Sequence, residues 1–200
     1  MQSDIDMPCP VCAVGGGLKM ISHVDDIPYF GEHTQVTLLC DDCGWRQTDF
    51  IPAEGRKPGA WSLLLSGKEQ LTARVVRSSS CTIRIPELEL EVSPGTAATG
   101  FVSNVEGVLK RFRDIVNMVI PDLEDEEDIS RCNEILLTLD QLASGSHQGS
   151  VLLEFLDPRG HSQIIHPQAI DRDLSESELA LLPMGPEPPV IESSDTCSAP

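Results

Sequence analysis

Four cysteines in two Cys-x-x-Cys pairs carry the clearest chemical pattern in this sequence: Cys9 with Cys12, and Cys40 with Cys43. Each pair can form a tight knuckle that aims two thiolates at one point, and two knuckles complete the tetrahedral ligand set of a structural zinc ion. Four thiolates leave no position open for water, so the pattern disfavours a catalytic metal. Iron bound by four thiolates uses the same spacing and stays an alternative.

The rest of the composition favours reduced cysteines inside the cell. Seven cysteines would suit a disulfide scaffold in a short secreted chain, but the sequence does not begin with an export signal. No stretch approaches the ~18 uninterrupted apolar residues of a membrane span. We therefore expect a cytoplasmic protein whose paired cysteines bind metal.

The formal net charge of −18 argues against nucleic-acid binding, because affinity for a polyanion comes mainly from Lys and Arg. Residues 1–50 share this bias, with eight acidic residues against Lys19 and Arg46. Residues 54–84 invert it, with six basic residues against Glu54 and Glu69, and are the stretch that an anionic partner would contact. A nucleic-acid-binding zinc ribbon acting in translation or transcription is therefore the alternative function.

The segment between the two cysteine pairs must bring them together. It is 27 residues long, which exceeds the usual spacer and requires a hairpin of substantial size. Leu18–Ile21 and Gln35–Leu39 are short and partly β-branched, as expected of its two strands. We therefore predict a four-cysteine zinc ribbon over residues 1–52.

A mainly β domain is predicted over residues 60–182. Its first strands are expected in succession at Arg74–Arg77, Thr82–Ile85 and Leu88–Val92, with Ser78–Ser80 as the first turn. Strand character returns at 151–156 and 162–166, after a helical pattern, so a helical hairpin interrupts this β domain.

The inserted α-hairpin is predicted over about residues 103–145. Ser103 and Glu106 have the spacing of a capping box, which starts its first helix, and Gly145 ends its second. A last short helix is expected over 175–182. Residues 183–200 are rich in Pro and Ser without periodicity and are predicted to form a disordered tail.

The sequence resembles the ZPR-type family of zinc-finger proteins over about residues 8–180. The family has a finger with this long spacer and an Ile-Pro-Tyr-Phe segment inside it, and its helix begins with a similar Val-Glu-Gly-Leu sequence. The matching motifs are Cys9-Pro-Val-Cys12, Ile27-Pro-Tyr-Phe-Gly-Glu32, Cys40-Asp-Asp-Cys-Gly-Trp-Arg46 and Phe101-Val-Ser-Asn-Val-Glu-Gly-Val-Leu109.

This resemblance implies a fold and an architecture. The family fold is a zinc ribbon followed by a jelly-roll-like, double-stranded β-helix domain with an inserted helical hairpin, which agrees with the order of elements predicted above. Eukaryotic members contain two copies of this unit, whereas this chain has one, as the shorter archaeal relatives do. We therefore expect a mainly β fold class with an inserted α-hairpin.

The resemblance also implies that this protein binds another protein, its client. Eukaryotic relatives bind translation elongation factor 1-alpha and help it to fold, so the same client is expected here, with one structural Zn²⁺ and no catalytic residues. Tyr29, Phe30 and Trp45 are the candidate client contacts on the ribbon, because aromatic side chains often anchor interfaces. Tyr29 and Phe30 are equally compatible with closing the ribbon's own small core.

Overall fold

In a computed structural model of the protein, residues 1–53 and 57–186 are described and form three antiparallel sheets. The remaining positions lie outside the described residues; they include Glu54 and Arg56 of the basic stretch and residues 187–200 of the predicted tail. The division into a ribbon, a β domain and a tail at the stated boundaries stays a prediction.

The first sheet contains the cysteines and has its strands in chain order. Its strands are β1 (Gln2–Ile5), β2 (Leu18–Ile27), β3 (Gly31–Cys40) and β4 (Arg46–Pro52). The β2–β3 hairpin pairs Leu18 with Cys40 at one end and Ile27 with Gly31 at the other. Both strands are therefore ten residues long, longer than predicted, because the ladder continues to the hairpin tip.

Two further sheets are built from residues 59–173. Their strands are β5 (Gly59–Leu65), β6 (Arg74–Arg77), β7 (Thr82–Ile85), β8 (Leu90–Val92), β9 (Phe101–Asn104), β10 (Val151–Asp157), β11 (Gln163–Ile165) and β12 (Ile170–Asp173). One sheet has the order β12-β5-β10-β7-β8 and the other the order β11-β6-β9. A four-residue helix, α1 (Lys68–Leu71), precedes β6.

The three strands predicted in succession are present, but the structure differs from the prediction in two respects. The strand at 74–77 lies in a different sheet from the strand at 82–85, because Ser78–Ser80 cross between the sheets as a buried loop and not as a surface turn. The strand predicted at 88–92 begins only at Leu90. Pro86 starts a 3-10 turn there, and Glu89 adopts a left-handed φ of 54°, which interrupts any strand.

Three longer helices lie in the described part of the chain: α2 (Val105–Val119), α3 (Glu126–Ser144) and α4 (Glu176–Leu181). The helical hairpin is confirmed, and Gly145 ends α3 with a φ of 67°. The predicted cap at Ser103 is wrong. The Asn104 side chain accepts the Gly107 amide at 2.9 Å, while Ser103 pairs with Val75 inside β9, so strand pairing moves the helix start by one residue.

The hairpin packs its apolar stripes against the β-sheets. Val108 and Phe112 of α2 and Leu139 of α3 are buried in one cluster with Leu153 and Phe155 of β10. Each such side chain contributes roughly 1.5–3 kcal/mol through burial. The hairpin is thus held mainly by its contact with the sheets, as expected for amphipathic helices.

Strand β4 fixes the ribbon against the rest of the chain. The carbonyl of Thr48 accepts hydrogen bonds from the Gly100 amide at 2.7 Å and from the Thr99 hydroxyl at 2.9 Å. The Gln47 side chain donates to the Ala98 carbonyl at 2.9 Å. A Cβ at position 100 would lie 3.0 Å from the Asp49 carboxylate, so glycine permits this close approach.

The buried loop Ser78–Ser80, here called the serine loop, joins two carboxylates from distant parts of the chain. Asp49 of β4 accepts the Ser79 amide at 2.8 Å and the Ser79 hydroxyl at 2.5 Å. Asp157 at the end of β10 accepts the hydroxyls of Ser78 at 2.7 Å and of Ser80 at 2.6 Å. The serine loop therefore links the ribbon to the β-sheets through hydrogen bonds to charged acceptors, which are stronger than neutral ones.

Asp157 is almost completely buried and has an altered acidity. Burial alone would raise its pKa, but the hydroxyls of Ser162, Ser80 and Ser78 and the Arg159 amide stabilise the carboxylate and lower the pKa below 3.8. A carboxyl group whose pKa is depressed on folding stabilises the fold above its unfolded pKa and loses this effect as the pH falls.

We predict that Asp157→Asn lowers the free energy of unfolding by about 2 kcal/mol at neutral pH, because a charged acceptor of several buried donors is lost. The difference from the wild type should narrow below about pH 3.8, as the wild-type carboxylate becomes protonated. Urea unfolding at several pH values measures this difference. Both proteins lose metal in acid to the same extent, so metal loss does not affect the comparison. A difference in free energy of unfolding that stays constant or widens as the pH falls would contradict a stabilising role of the Asp157 carboxylate.

Candidate metal centre

The two cysteine pairs lie in matching turns of the first sheet. Cys9 and Cys12 lie between β1 and β2, while Cys40 ends β3 and Cys43 precedes β4. In each turn the first cysteine's carbonyl accepts an amide four residues later at 2.9 Å, from Ala13 in one and Gly44 in the other. Positive φ values of 59° and 74° at these two residues close the knuckles.

The four sulfur atoms have the spacing of a tetrahedral metal site. All four Sγ atoms lie within 4.8 Å of one another, and the Cys9–Cys43 and Cys12–Cys40 pairs are each 3.7 Å apart. A zinc ion with Zn–S bonds of about 2.3 Å separates its sulfurs by about 3.8 Å. A disulfide would need about 2.05 Å, so the thiols are free and the donor set fits one zinc ion.

The thiols differ in acidity before metal binds. Burial raises the pKa of Cys9, but amides of Cys12 and Val11 outweigh it and lower the value to about 7. The Val14 amide lowers the pKa of Cys12, but burial and the neighbouring thiols raise it to about 12. Zinc must therefore displace protons when it binds, so its affinity falls as the pH falls.

One side of the metal site is buried, and the other side is exposed to solvent. Cys9 and Cys40 are buried with Leu18, and the half-buried side chains of Ile5 and Trp45 cover this small cluster. Cys43 is exposed. Among residues 1–53 and 57–186, the four cysteines are the one group of His, Cys, Asp and Glu close enough together to hold an ion.

The three aromatic residues predicted to contact a client occupy different environments. Tyr29 is 70 % exposed at the hairpin tip, where the Arg74 guanidinium lies 4.6 Å from the centre of its ring. Phe30 is only 6 % exposed and offers little surface to a partner. Trp45 lies beside the metal ligands. The ten residues of β3 separate the ligands from the hairpin tip by roughly 30 Å. They do not form one patch.

An apolar groove beside the cysteines was not foreseen from the sequence. This metal-side groove has a volume of about 580 Å³, and its walls include Met7, Pro8 and Trp45 from the ribbon and Pro94 and Met184 from the rest of the chain. Its sequence signal is the run of apolar and proline residues around the first cysteine pair. Residues 183–186, predicted to begin a disordered tail, line one side of it.

A four-thiolate zinc ribbon, fixed against a mainly β domain that carries a helical hairpin, defines the class of this protein as a zinc-ribbon protein with a jelly-roll-like second part. Comparison with known sequences identifies the family. A family model described as the ZPR1 jelly-roll domain matches residues 69–180.

An uncharacterized ZPR1-like protein of Methanocaldococcus jannaschii is 41 % identical over 90 % of this chain and 89 % of its own length. A ZPR1-like protein of Pyrococcus horikoshii is 38 % identical over 89 % of this chain and 80 % of its own. A protein of Schizosaccharomyces pombe named zinc finger chaperone zpr1 is 28 % identical, over 82 % of this chain and 36 % of its own length. The chain belongs to the ZPR1 family, and its metal is structural zinc.

Within the described ranges, no helix has the length and apolar character needed to cross a membrane.

We predict that Cys40→Ser abolishes stoichiometric zinc binding and unfolds the ribbon, because three thiolates and a neutral hydroxyl bind zinc far more weakly than four thiolates. Metal analysis should show loss of zinc, and hydrogen exchange should show loss of amide protection in β2 and β3 but not in β10. Cys132→Ser, at a half-buried cysteine of α3, is the control and should keep one zinc per chain. Full zinc content in Cys40→Ser would contradict the ligand set.

Proposed function

We propose that this protein is a protein-interaction module that binds translation elongation factor 1-alpha in the cytoplasm and assists its folding without catalysing a reaction. The name of the Schizosaccharomyces pombe relative, zinc finger chaperone zpr1, supports a role in folding. The archaeal relatives match this chain along most of their length, which supports a single ribbon and β-domain unit as the working form.

The observation that carries this proposal is the metal-side groove. Pro8 and Pro10 flank the ligand Cys9, and Trp45 follows the ligand Cys43 by two residues. Zinc binding therefore orders one wall of the groove directly. Apolar clefts lined by an aromatic residue suit an apolar segment of a client, and a folding intermediate exposes such segments.

Exposed apolar side chains extend this surface around the zinc knuckle. Met7 is 50 % exposed, Val11 62 % and Val14 43 %. Single exposed apolar residues are ordinary, but a group next to an apolar groove is typical of an interaction site. We propose that the client contacts this face through the groove.

The basic stretch at 54–84 gives little support to a nucleic-acid partner. Arg77 is buried, Arg84 forms an ion pair with Glu154 at 3.0 Å, and Arg74 lies over the ring of Tyr29. A phosphate backbone needs an exposed row of cations. The described basic residues of this stretch are largely engaged within the protein, which favours a protein client.

We predict that Trp45→Leu weakens binding to purified elongation factor 1-alpha by about tenfold or more, as expected for a central aromatic contact. Leucine keeps an apolar cover over the cysteine cluster, so zinc content should be unchanged. Calorimetric titration of the zinc-loaded protein measures the affinity. Tyr29→Ala should have a smaller effect, since Tyr29 lies far from the groove.

Ile170→Asn is the matched control, because Ile170 is an exposed apolar residue of β12, 66 % exposed, outside the groove. Its binding should equal that of the wild type. Wild-type affinity in Trp45→Leu would remove the groove from the interface. Failure of the wild type to bind the factor would contradict the proposed client. Binding of the wild type to RNA that weakens steeply with ionic strength would support the nucleic-acid alternative instead.

A further inference from the structure

A second cavity lies between α2 and the loop 97–99. Its volume is about 410 Å³, within the range of small-molecule sites. Its apolar walls are formed by Ile83, Val92, Phe101, Val108, Phe112 and Ile115. We call it the arginine cleft, because Arg77 and Arg111 also line it. None of its lining residues lines the metal-side groove.

Both arginines lie over the same aromatic ring. The guanidinium carbon of Arg111 is 4.1 Å from the centre of the Phe101 ring, and that of Arg77 is 5.9 Å from it. A contact of this kind holds the guanidinium of Arg111 in place and leaves its N–H groups available. Two positive charges are therefore positioned at the wall of one apolar cavity.

Arg77 is buried without a direct ion pair. Its Nε and Nη2 donate to the Cys81 carbonyl at 3.2 and 2.8 Å, and its Nη1 donates to the Thr99 carbonyl at 3.0 Å. Within residues 1–53 and 57–186, no carboxylate oxygen lies within 4.0 Å of a nitrogen of Arg77 or Arg111. A buried charge is usually paired.

The surroundings of Arg77 disfavour its positive charge and lower its pKa. Burial lowers its pKa most. Cys81, Asp157 and Asp49 act in the opposite direction, and the positive charge of Arg111 lowers the pKa further by a smaller amount. An anion bound in the cavity that both arginines line would offset both unfavourable effects. Asp114 is the one acidic residue among those lining the cleft, and it would oppose such an anion.

We propose that the arginine cleft binds a small molecule that joins a carboxylate to an apolar aromatic or branched aliphatic body. The planar guanidinium fork matches a carboxylate in shape and charge. The apolar walls suit the rest of such a ligand, and the volume limits it to the size of a small metabolite. This site is separate from the proposed client-binding groove.

The test uses phenylacetate and 4-methylpentanoate as probes, each paired with its neutral amide. Each acid is titrated into the zinc-loaded full chain, and amide chemical shifts are followed by NMR. Ligands with about ten heavy atoms typically reach millimolar dissociation constants or better. At least one acid should saturate in that range, with shifts at Ala97, Ala98 and Phe101, and its amide should bind about tenfold more weakly or worse.

Two variants and a control assign the binding to the cleft. Arg111→Gln removes an exposed charge and should weaken the acid about tenfold. Asp114→Asn removes the opposing carboxylate and should tighten binding a few-fold, a gain that structural damage would not produce. Lys110→Gln changes the neighbouring exposed cation, which does not line the cleft, and should leave the affinity unchanged.

The inference is overturned if neither acid saturates below roughly 10 mM, if acids and amides bind equally, or if Arg111→Gln binds as the wild type does. Equal weakening by Lys110→Gln and Arg111→Gln would also overturn it, since that result indicates a general charge effect. The outcome is independent of the elongation-factor experiment, because the substituted residues Arg111, Asp114 and Lys110 do not line the metal-side groove.

Discussion

The ribbon depends on one interaction, the binding of a single zinc ion by four thiolates from two turns. Besides Met20 and Phe30, the first sheet buries a small apolar cluster around Cys9, Leu18 and Cys40, and a module of about fifty residues with so little core is not expected to hold together without a metal. Zinc connects the turn before β2 to the turn before β4. It therefore sets the position of the groove wall and of β4, through which the ribbon contacts the rest of the chain.

The contact between ribbon and β-sheets is polar and specific. Thr48 continues its hydrogen bonding with residues 99 and 100, and the serine loop holds Asp49 on one side and Asp157 on the other. Buried polar groups of this kind are costly unless every donor has an acceptor. Because these donors and acceptors match, the network favours one orientation of the ribbon, and the metal-side groove is formed from both parts in that orientation.

Local patterns in the sequence predicted the metal ligands and the helical hairpin. Cysteine spacing identifies Cys9 with Cys12 and Cys40 with Cys43 because knuckle geometry is local, and helical periodicity identifies α2 and α3 for the same reason. The sequence did not indicate which residues form hydrogen bonds with partners far away along the chain. The serine loop has the composition of a turn, yet its acceptors lie 30 and 79 residues away, and only those acceptors explain its burial. Likewise, neighbours such as Tyr29 and Phe30 have similar side chains, and tertiary packing alone decides which is exposed.

X-ray absorption at the metal edge of the purified protein tests the central claim most directly. The account predicts one zinc per chain, bound by four sulfur atoms at about 2.3 Å. A different metal, a first shell containing nitrogen or oxygen in place of sulfur, or a metal-free protein with an ordered ribbon would contradict it.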